Sequence, residues 1–366
     1  MKIKRTFFLF LLIISSCLLA EEISFSAEFD SIKVTDGPYL FWQGDSLIAE
    51  YFYVGQYHRK AVAKSQLETQ PFTIEVLNFS QNILPQPQAQ NDHFPPVDKF
   101  FVLSDIHGQF AKMRQILLAQ QIIDEDNNWH WQNGHLIIAG DVFDRGMGVT
   151  EALWLIYQLE QQAAVAGGGV HYLLGNHDLL LFQNDIRYVH EKYVNVSHRL
   201  EKTYSEIFSA ESVLGQWLLT KPVIIGMNDF LFTHGGISPQ TAEKFSETKM
   251  INALIEAYLQ TSEKSENIAF LTGNNGPLWY RGYFQESKYY SLISQKEIDK
   301  ILQIFAVHKI VVGHTTQDSI CTLWQGNIIA VDAGIKYGDR GEGLLWQEDE
   351  FYRAKADGST QKLFKE

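Results

Sequence analysis

The chain reads as an α/β protein: stacked mixed β-sheets flanked by helices, preceded by a β-rich N-terminal extension. Three observations predict this. From Lys99 onward, short apolar runs alternate with helix-period segments, the pattern of strands joined by helical crossovers. Between residues 21 and 82, several β-prone runs are punctuated by turn signals such as Asp36-Gly37-Pro38 and Gly44-Asp45. The 366 residues are 45% hydrophobic and 20% charged, enough for one large core or a core with an appendage.

Taken in order, residues 1–20 form a targeting signal. Lys2, Lys4 and Arg5 precede an apolar core from Phe7 to Ile14 that is too short to span a bilayer, and Leu18-Leu19-Ala20 offers a cleavage site before Glu21. Ile14-Ser15-Ser16-Cys17 also fits a lipoprotein signal, so a lipid anchor at Cys17 is the alternative. Either reading exports the protein, to the periplasm or beyond, with no transmembrane span after the signal is removed. Residues 21–96 are the β-rich extension, with strands expected at 23–26, 39–42 and 47–54, followed by a linker marked by Pro85, Pro87, Pro95 and Pro96. Residues 97–345 are expected to form the main domain, which carries the polar motifs described below. Its strands are expected at 100–103, 135–139, 170–174, 223–225, 230–232, 309–312 and 328–331. Helices are expected at 113–118 and 152–162, over a longer stretch from Leu179 to Leu200, and as a cover from Ser238 to Ser265. Residues 346–366 form a C-terminal segment.

The formal net charge is −13 and no basic patch interrupts it, which excludes a nucleic-acid partner. An anionic substrate must then be attracted locally, by cations and arginines acting within a Debye length of roughly 8–10 Å. The two cysteines, Cys17 and Cys321, leave no intramolecular disulfide once the signal is gone. Ile320-Cys321-Thr322 lacks the glycines and arginine of a phosphate-binding cysteine loop, so Cys321 is expected in the core.

Five segments carry the chemistry: Ser104-Asp105-Ile106-His107-Gly108, Gly140-Asp141-Val142-Phe143-Asp144-Arg145-Gly146, Gly175-Asn176-His177-Asp178, Thr233-His234-Gly235-Gly236 and Val312-Gly313-His314-Thr315. The first four each follow an apolar run, at the strand end where α/β proteins build sites. Their oxygen and nitrogen donors suit two divalent metal ions of the Mn, Fe or Zn kind. Asp105 and His107, two apart, are expected on one metal by strand alternation. Asp141 bridges, and Asn176, His234 and His314 complete the second. A phosphate ester needs charge neutralisation and alignment more than covalent help, and two close metals supply both. His177 is expected to be the general acid, oriented by Asp144. Arg145 forks onto phosphate oxygens, and Arg281 adds local positive charge.

Each motif alone also has a structural reading: Asp144-Arg145-Gly146 as a turn with a surface ion pair, Gly-Asn-His-Asp as a chance match. It is the five together, in order, that point to chemistry. His130, His135, His171, His190, His198 and His308 are read as core or surface residues.

With these motifs the chain resembles the calcineurin-like metallophosphoesterases, in their phosphoprotein phosphatase branch. Asp185-Ile186-Arg187-Tyr188-Val189 and Gly276-Pro277-Leu278-Trp279-Tyr280-Arg281-Gly282 make it similar to the Shewanella-like phosphatases, which include bacterial cold-active protein tyrosine phosphatases. The resemblance implies a calcineurin-like sandwich, a hydroxide bridging two metals as nucleophile, and a histidine acid paired with an aspartate. Three departures stand out. Val331-Asp332-Ala333-Gly334 replaces the Ser-Ala-Pro-Asn-Tyr of the eukaryotic Ser/Thr enzymes. Gly313-His314-Thr315-Thr316 lacks a second histidine. Asp178 stands where glutamate is usual, a change expected to have small effect.

The function expected is a metal-dependent phosphomonoester hydrolase, a protein phosphatase favouring phosphotyrosine or small aryl phosphates. A phenolic leaving group has a pKa near 10 and needs less proton assistance than a serine alkoxide. A dinucleoside polyphosphate hydrolase is the second reading, and a non-catalytic metal-binding scaffold the third. A scaffold has no use for His177, Asp144 and two arginines.

Overall fold

A computed structural model describes residues 33–364. The expected signal at residues 1–20, with Cys17, lies outside the described residues, as does the strand expected at 23–26. No helix among the described residues is long and apolar enough to cross a membrane.

The chain opens with an antiparallel meander of β1 (Asp36–Gln43), β2 (Ser46–Tyr53) and β3 (Gln56–Ala63). A small hairpin follows, β4 (Phe72–Ile74) with β5 (Phe79–Gln81). The proline-rich linker also contributes a strand, because β6 (His93–Phe94) pairs in parallel with β10 (Ile224–Met227).

Two six-stranded sheets form the body. The first centres on three parallel strands, β7 (Lys99–Leu103), β8 (His135–Ala139) and β9 (Gly169–Leu173). The second is ordered β13-β14-β12-β11-β10-β6, where β11 is Phe230–Thr233, β12 Lys309–Val312, β13 Cys321–Leu323 and β14 Ile328–Ala330. In it β11, β12 and β14 run parallel. The first sheet is completed by β15 (Glu342–Gln347), β16 (Glu350–Lys355) and β17 (Thr360–Lys362), with β15 antiparallel to β7. β15 runs across residue 345, and β16 and β17 extend the same sheet.

The period-2 alternation of strands explains the layering. Phe100 and Val102 point between the sheets, where they meet Phe232, Val311 and Trp346, while Phe101 and Leu103 point outward against the helices at 110–119 and 149–165. Phe100 is fully buried and stacks on Trp346 at 5.0 Å. Burying one such side chain contributes about 1.5–3 kcal/mol, so the interior between the sheets fixes how they stack. Helices at 239–244, 248–261 and 295–305 cover the outer face of the second sheet.

The extension packs on the first sheet's helical layer, where Tyr39, Leu40 and Leu47 share one core with Trp154. Asp36, almost fully buried, pairs with Lys192 at 2.7 Å. Tyr193, next along, takes the backbone N–H of Thr150 and donates to the carbonyl of Met147.

Two expectations are corrected. The helix expected over 179–200 is two helices, Asn176–Phe182 and Glu191–Leu200. Asn184 adopts a left-handed φ of 52° and the chain turns out at 183–190. The apolar spacing continues across that gap, but a backbone contact described below holds the segment in a turn. Cys321 is half-buried rather than in the core, because β13 is an edge strand with every residue partly exposed.

Candidate active site

The five predicted segments meet along one rim, at the C-terminal ends of β7, β8, β9, β11 and β12. Their backbones are sewn together. Asp105 donates its N–H to Gly140 O, His107 to Asp141 O, Gly146 to His107 O and Gly313 to His234 O. Six of the ten predicted site residues, Asp105, His107, Asp141, Asp144, Arg145 and His314, have positive φ. Such conformations cost of order 1–3 kcal/mol each and persist only where the surroundings hold them. Asp105 and His107 therefore share a target for a reason other than the one expected. Both lie beyond the end of β7, in a tight left-handed turn, and not on alternating strand positions.

Asp141 is the hub. Its Oδ2 lies 3.5 Å from His107 Nε2 and 3.1 Å from His234 Nε2. Asp105 Oδ1 is 3.9 Å from His107 Nε2, and Asp105 Oδ2 takes the N–H of His314 at 2.8 Å. His234 Nε2 also faces Asn176 Oδ1 at 2.9 Å and His314 Nδ1 at 3.1 Å. All six predicted ligands are 5% exposed or less. Arg281 is half-buried and feels the charges of Asp105, Asp141 and Asp332, whereas Arg145 is exposed at the rim.

The tautomers are set by the backbone. His107 Nδ1 meets Phe143 O at 2.7 Å and His234 Nδ1 meets Ala139 O at 2.8 Å. A carbonyl only accepts, so both Nδ1 atoms carry hydrogen and both Nε2 atoms face Asp141. Around His234 Nε2 the neighbours are Asp141 Oδ2, Asn176 Oδ1 and an imidazole nitrogen of His314. Oxygen and nitrogen donor atoms thus converge on one point. His107, Asp141 and His177 form one compact group of donors, and Asp141, His234 and His314 another. This donor set fits divalent cations.

Burial would raise Asp141, but His234, His177 and His107 hold its carboxyl well below the usual range. Burial, with Asp332 and Asp141 nearby, pushes Asp105 up to about 7. His107 falls to about 3, mainly through burial. His234 rises to about 9, since Asp141 and Asp105 outweigh its burial.

His177 stands beside this cluster. Its ring is 4.6 Å from that of His107, nearly perpendicular, and its backbone N–H donates to Asp141 Oδ1 at 2.9 Å. Its Nδ1 lies 2.5 Å from Asp144 Oδ2. Burial opposes charge on His177, yet Asp141 and the bond to Asp144 prevail and its pKa lies above the ordinary value. Nε2 is the ring nitrogen that the Asp144 bond leaves available.

Glycine is demanded at two points. A Cβ on Gly175 would lie 2.2 Å from Asp141 Oδ1, and one on Gly140, whose φ is +88°, would lie 2.6 Å from His234 Nδ1.

Three supporting residues escaped sequence reasoning. Asp178, expected to matter little, accepts the N–H groups of Asp141 and Gly175 at 3.0 and 2.6 Å and the Tyr172 hydroxyl at 2.8 Å, which fixes the backbone of the hub. Asp332, fully buried, takes the Thr316 hydroxyl at 2.6 Å and pairs with Lys336 at 3.2 Å, steadying the turn that carries His314. Its position after β14, in line with the other strand ends, was the available signal. Tyr188, within Asp185-Ile186-Arg187-Tyr188-Val189, lies against His177 with ring centroids 5.0 Å apart.

The model of the calcineurin-like phosphoesterase family matches residues 98–318, a span that holds all ten site residues. The chain belongs to this family. The phosphoesterase is 24% identical over 284 residues to Shewanella-like protein phosphatase 1 of Plasmodium berghei (strain Anka), covering 73% of this chain and 77% of that one. To Shewanella-like protein phosphatase 2 of Arabidopsis thaliana it is 22% identical over 304 residues, covering 70% and 77%. The crystal structure of a cold-active protein-tyrosine phosphatase from a psychrophilic Shewanella species superposes with a TM-score of 0.83 at 36% identity, covering 90% of the phosphoesterase and all of that chain.

Proposed function

We propose that this phosphoesterase is a metal-dependent phosphomonoesterase, a protein phosphatase that prefers phosphotyrosine and other aryl phosphates. One observation carries the reading. The His177–Asp144 pair, 2.5 Å apart, sits beside the Asp141 cluster, so a proton donor adjoins a site built for cations. The relatives named as protein phosphatases and the solved protein-tyrosine phosphatase support this choice of substrate class.

Asp105, His107, Asp141, Asn176, His234 and His314 would hold two divalent cations, which when bound neutralise phosphate charge and activate water. Arg145 and Arg281 grip the phosphoryl oxygens, giving an anion a local foothold on a protein of net charge −13. His177 gives its Nε2 proton to the departing oxygen. Asp144 holds the ring so that this nitrogen faces the substrate and stabilises the charged imidazole before transfer. Tight burial of the cluster keeps its donors aligned, so little reorganisation accompanies the reaction. The charged and apolar stretches of residues 1–20 support export as the setting of this activity.

The test is metal-reconstituted protein assayed on phosphotyrosine peptide, phosphoserine peptide and diadenosine tetraphosphate, with His177→Asn alongside. Phosphotyrosine should be the best of the three and His177→Asn at least 100-fold slower, within the usual range for general acid catalysis of about 10²–10⁴. Much faster cleavage of the tetraphosphate overturns the substrate class. A fully active His177→Asn overturns the acid.

A further inference from the structure

Two side chains dictate where an ester must lie here. The phosphoryl oxygens sit under Arg145, and the leaving oxygen sits at His177, its proton donor. Whatever organic group hangs from that oxygen must then run along the surface that touches both residues. Tyr188 is that surface. Its ring centroid is 5.0 Å from that of His177, tilted by 56°, and 5.5 Å from the guanidinium carbon of Arg145. The residue is 42% exposed, and Ile186 and Met147 nearby in sequence to Tyr188 and Arg145 are 49% and 61% exposed. An aromatic ring left open beside an otherwise polar cluster offers a surface that apolar groups contact.

The ring is held in place and not loose. The carbonyl of Tyr188 takes the N–H of Arg145 at 2.8 Å. Arg187, 5.7 Å from the ring, is anchored to Asp185 through Nε at 2.8 Å and Nη2 at 2.6 Å. Two cations beside one ring polarise it and favour this placement. A rigid ring next to the exit path of the leaving group rewards a planar partner and gives an alkyl chain much less. Resting on the phosphomonoesterase reading above, we infer that Tyr188 is the specificity-determining residue of the site, a stacking wall for the aromatic ring of an aryl phosphate.

Tyr188→Ala removes the ring from beside the Arg145 guanidinium but keeps the backbone bond between the two residues, and an exposed side chain can be removed without opening the core. The experiment compares wild type, Tyr188→Ala and Tyr188→Phe on one peptide bearing either phosphotyrosine or phosphoserine, and measures competitive inhibition by phenylphosphonate and methylphosphonate. Tyr188→Ala should lower the phosphotyrosine-to-phosphoserine ratio of kcat/KM about tenfold and weaken phenylphosphonate by a similar factor relative to methylphosphonate. Tyr188→Phe should restore both ratios. If Tyr188→Ala slows both peptides equally and leaves the inhibitor ratio unchanged, the ring is only a prop for Arg145 and His177, and the inference is wrong. If wild type hydrolyses neither peptide, the phosphomonoesterase reading fails and takes this inference with it; turnover with unaltered ratios sinks the inference alone.

Discussion

A single methyl group at Gly175 should dismantle the proposed metal-binding cluster around Asp141. Gly175 caps the helix that begins at Asn176, with its Cα packed against the hub carboxylate. A Cβ there would stand 2.2 Å from Asp141 Oδ1 and 2.5 Å from the backbone nitrogen of Asp141. Both distances fall at least 1 Å short of an ordinary contact of about 3.5 Å. Neither partner can give way cheaply. The Asp141 N–H is bound to Asp178 at 3.0 Å, and Oδ1 accepts from His177 at 2.9 Å. The methyl must therefore push Asp141 by roughly 1 Å, a misplacement that typically costs 10²-fold in rate. In Gly175→Ala, kcat should fall at least 100-fold and bound metal, measured by elemental analysis on purified protein, should drop well below that of wild type. A Gly175→Ala enzyme with wild-type metal content and wild-type kcat would refute the placement of Asp141 at the centre of the ligand set.

Other expectations follow from the same geometry. Asp144→Asn leaves His177 without its carboxylate partner, so kcat should fall about 10²-fold or more on phosphoserine peptide and distinctly less on phosphotyrosine, whose leaving group has a pKa near 10; equal losses on both would argue against proton donation. Asp36→Ala leaves Lys192 only its longer contact to Glu151, 3.4 Å away, so denaturant unfolding should show a loss of about 1.5–3 kcal/mol; a loss below 0.5 kcal/mol would contradict it. Buried His171 has its pKa lowered from 6.5 to about 3, first by burial and then by His135, 2.9 Å away. The unfolded chain takes up that proton as pH falls below 6.5 while the folded one does not, so this residue's contribution is intact above 6.5 and shrinks by roughly 2 kcal/mol by pH 5. The stability gap between wild type and His171→Gln should narrow accordingly, and parallel pH profiles would disprove it. Chelation should abolish hydrolysis and added divalent metal restore it, while Cys321→Ser stays active; inactivity of Cys321→Ser would point to thiol chemistry.

The parts of this molecule legible in its sequence are those written locally. Phe100 to Leu103, His135 to Ala139 and Lys309 to Val312 are short apolar runs next to polar motifs, and each is a strand ending at the site. The ligand types were readable because Asp, His and Asn right after such runs have few other uses. What stayed hidden depends on contacts between distant segments. The left-handed turns at Asp105, His107 and Asp141 are imposed by neighbouring loops, so strand alternation gave a sound grouping for an unsound reason. The gap between the helices at 176–182 and 191–200 is invisible to periodicity because turn bonds of Asn184, Asp185 and Val189, together with a backbone bond from the distant Arg145 to Tyr188, hold it open. The same masking concealed Tyr188 itself. Asp178 looked like a shortened glutamate until its partners placed it under the hub.

The rim where two sheets converge has a consequence for the life of the protein. The N–H of His314 reaches a carboxylate 209 residues earlier in the chain, and the remaining donors come from three further loops. No stretch of unfolded polypeptide reproduces that cage. On the function proposed above, a cation captured there would act as a staple across the sandwich, and free metal at a hundred times its dissociation constant would add about 2.7 kcal/mol to unfolding. Scarcity of metal would thus be felt twice, as lost turnover and as a shorter lifetime against proteolysis.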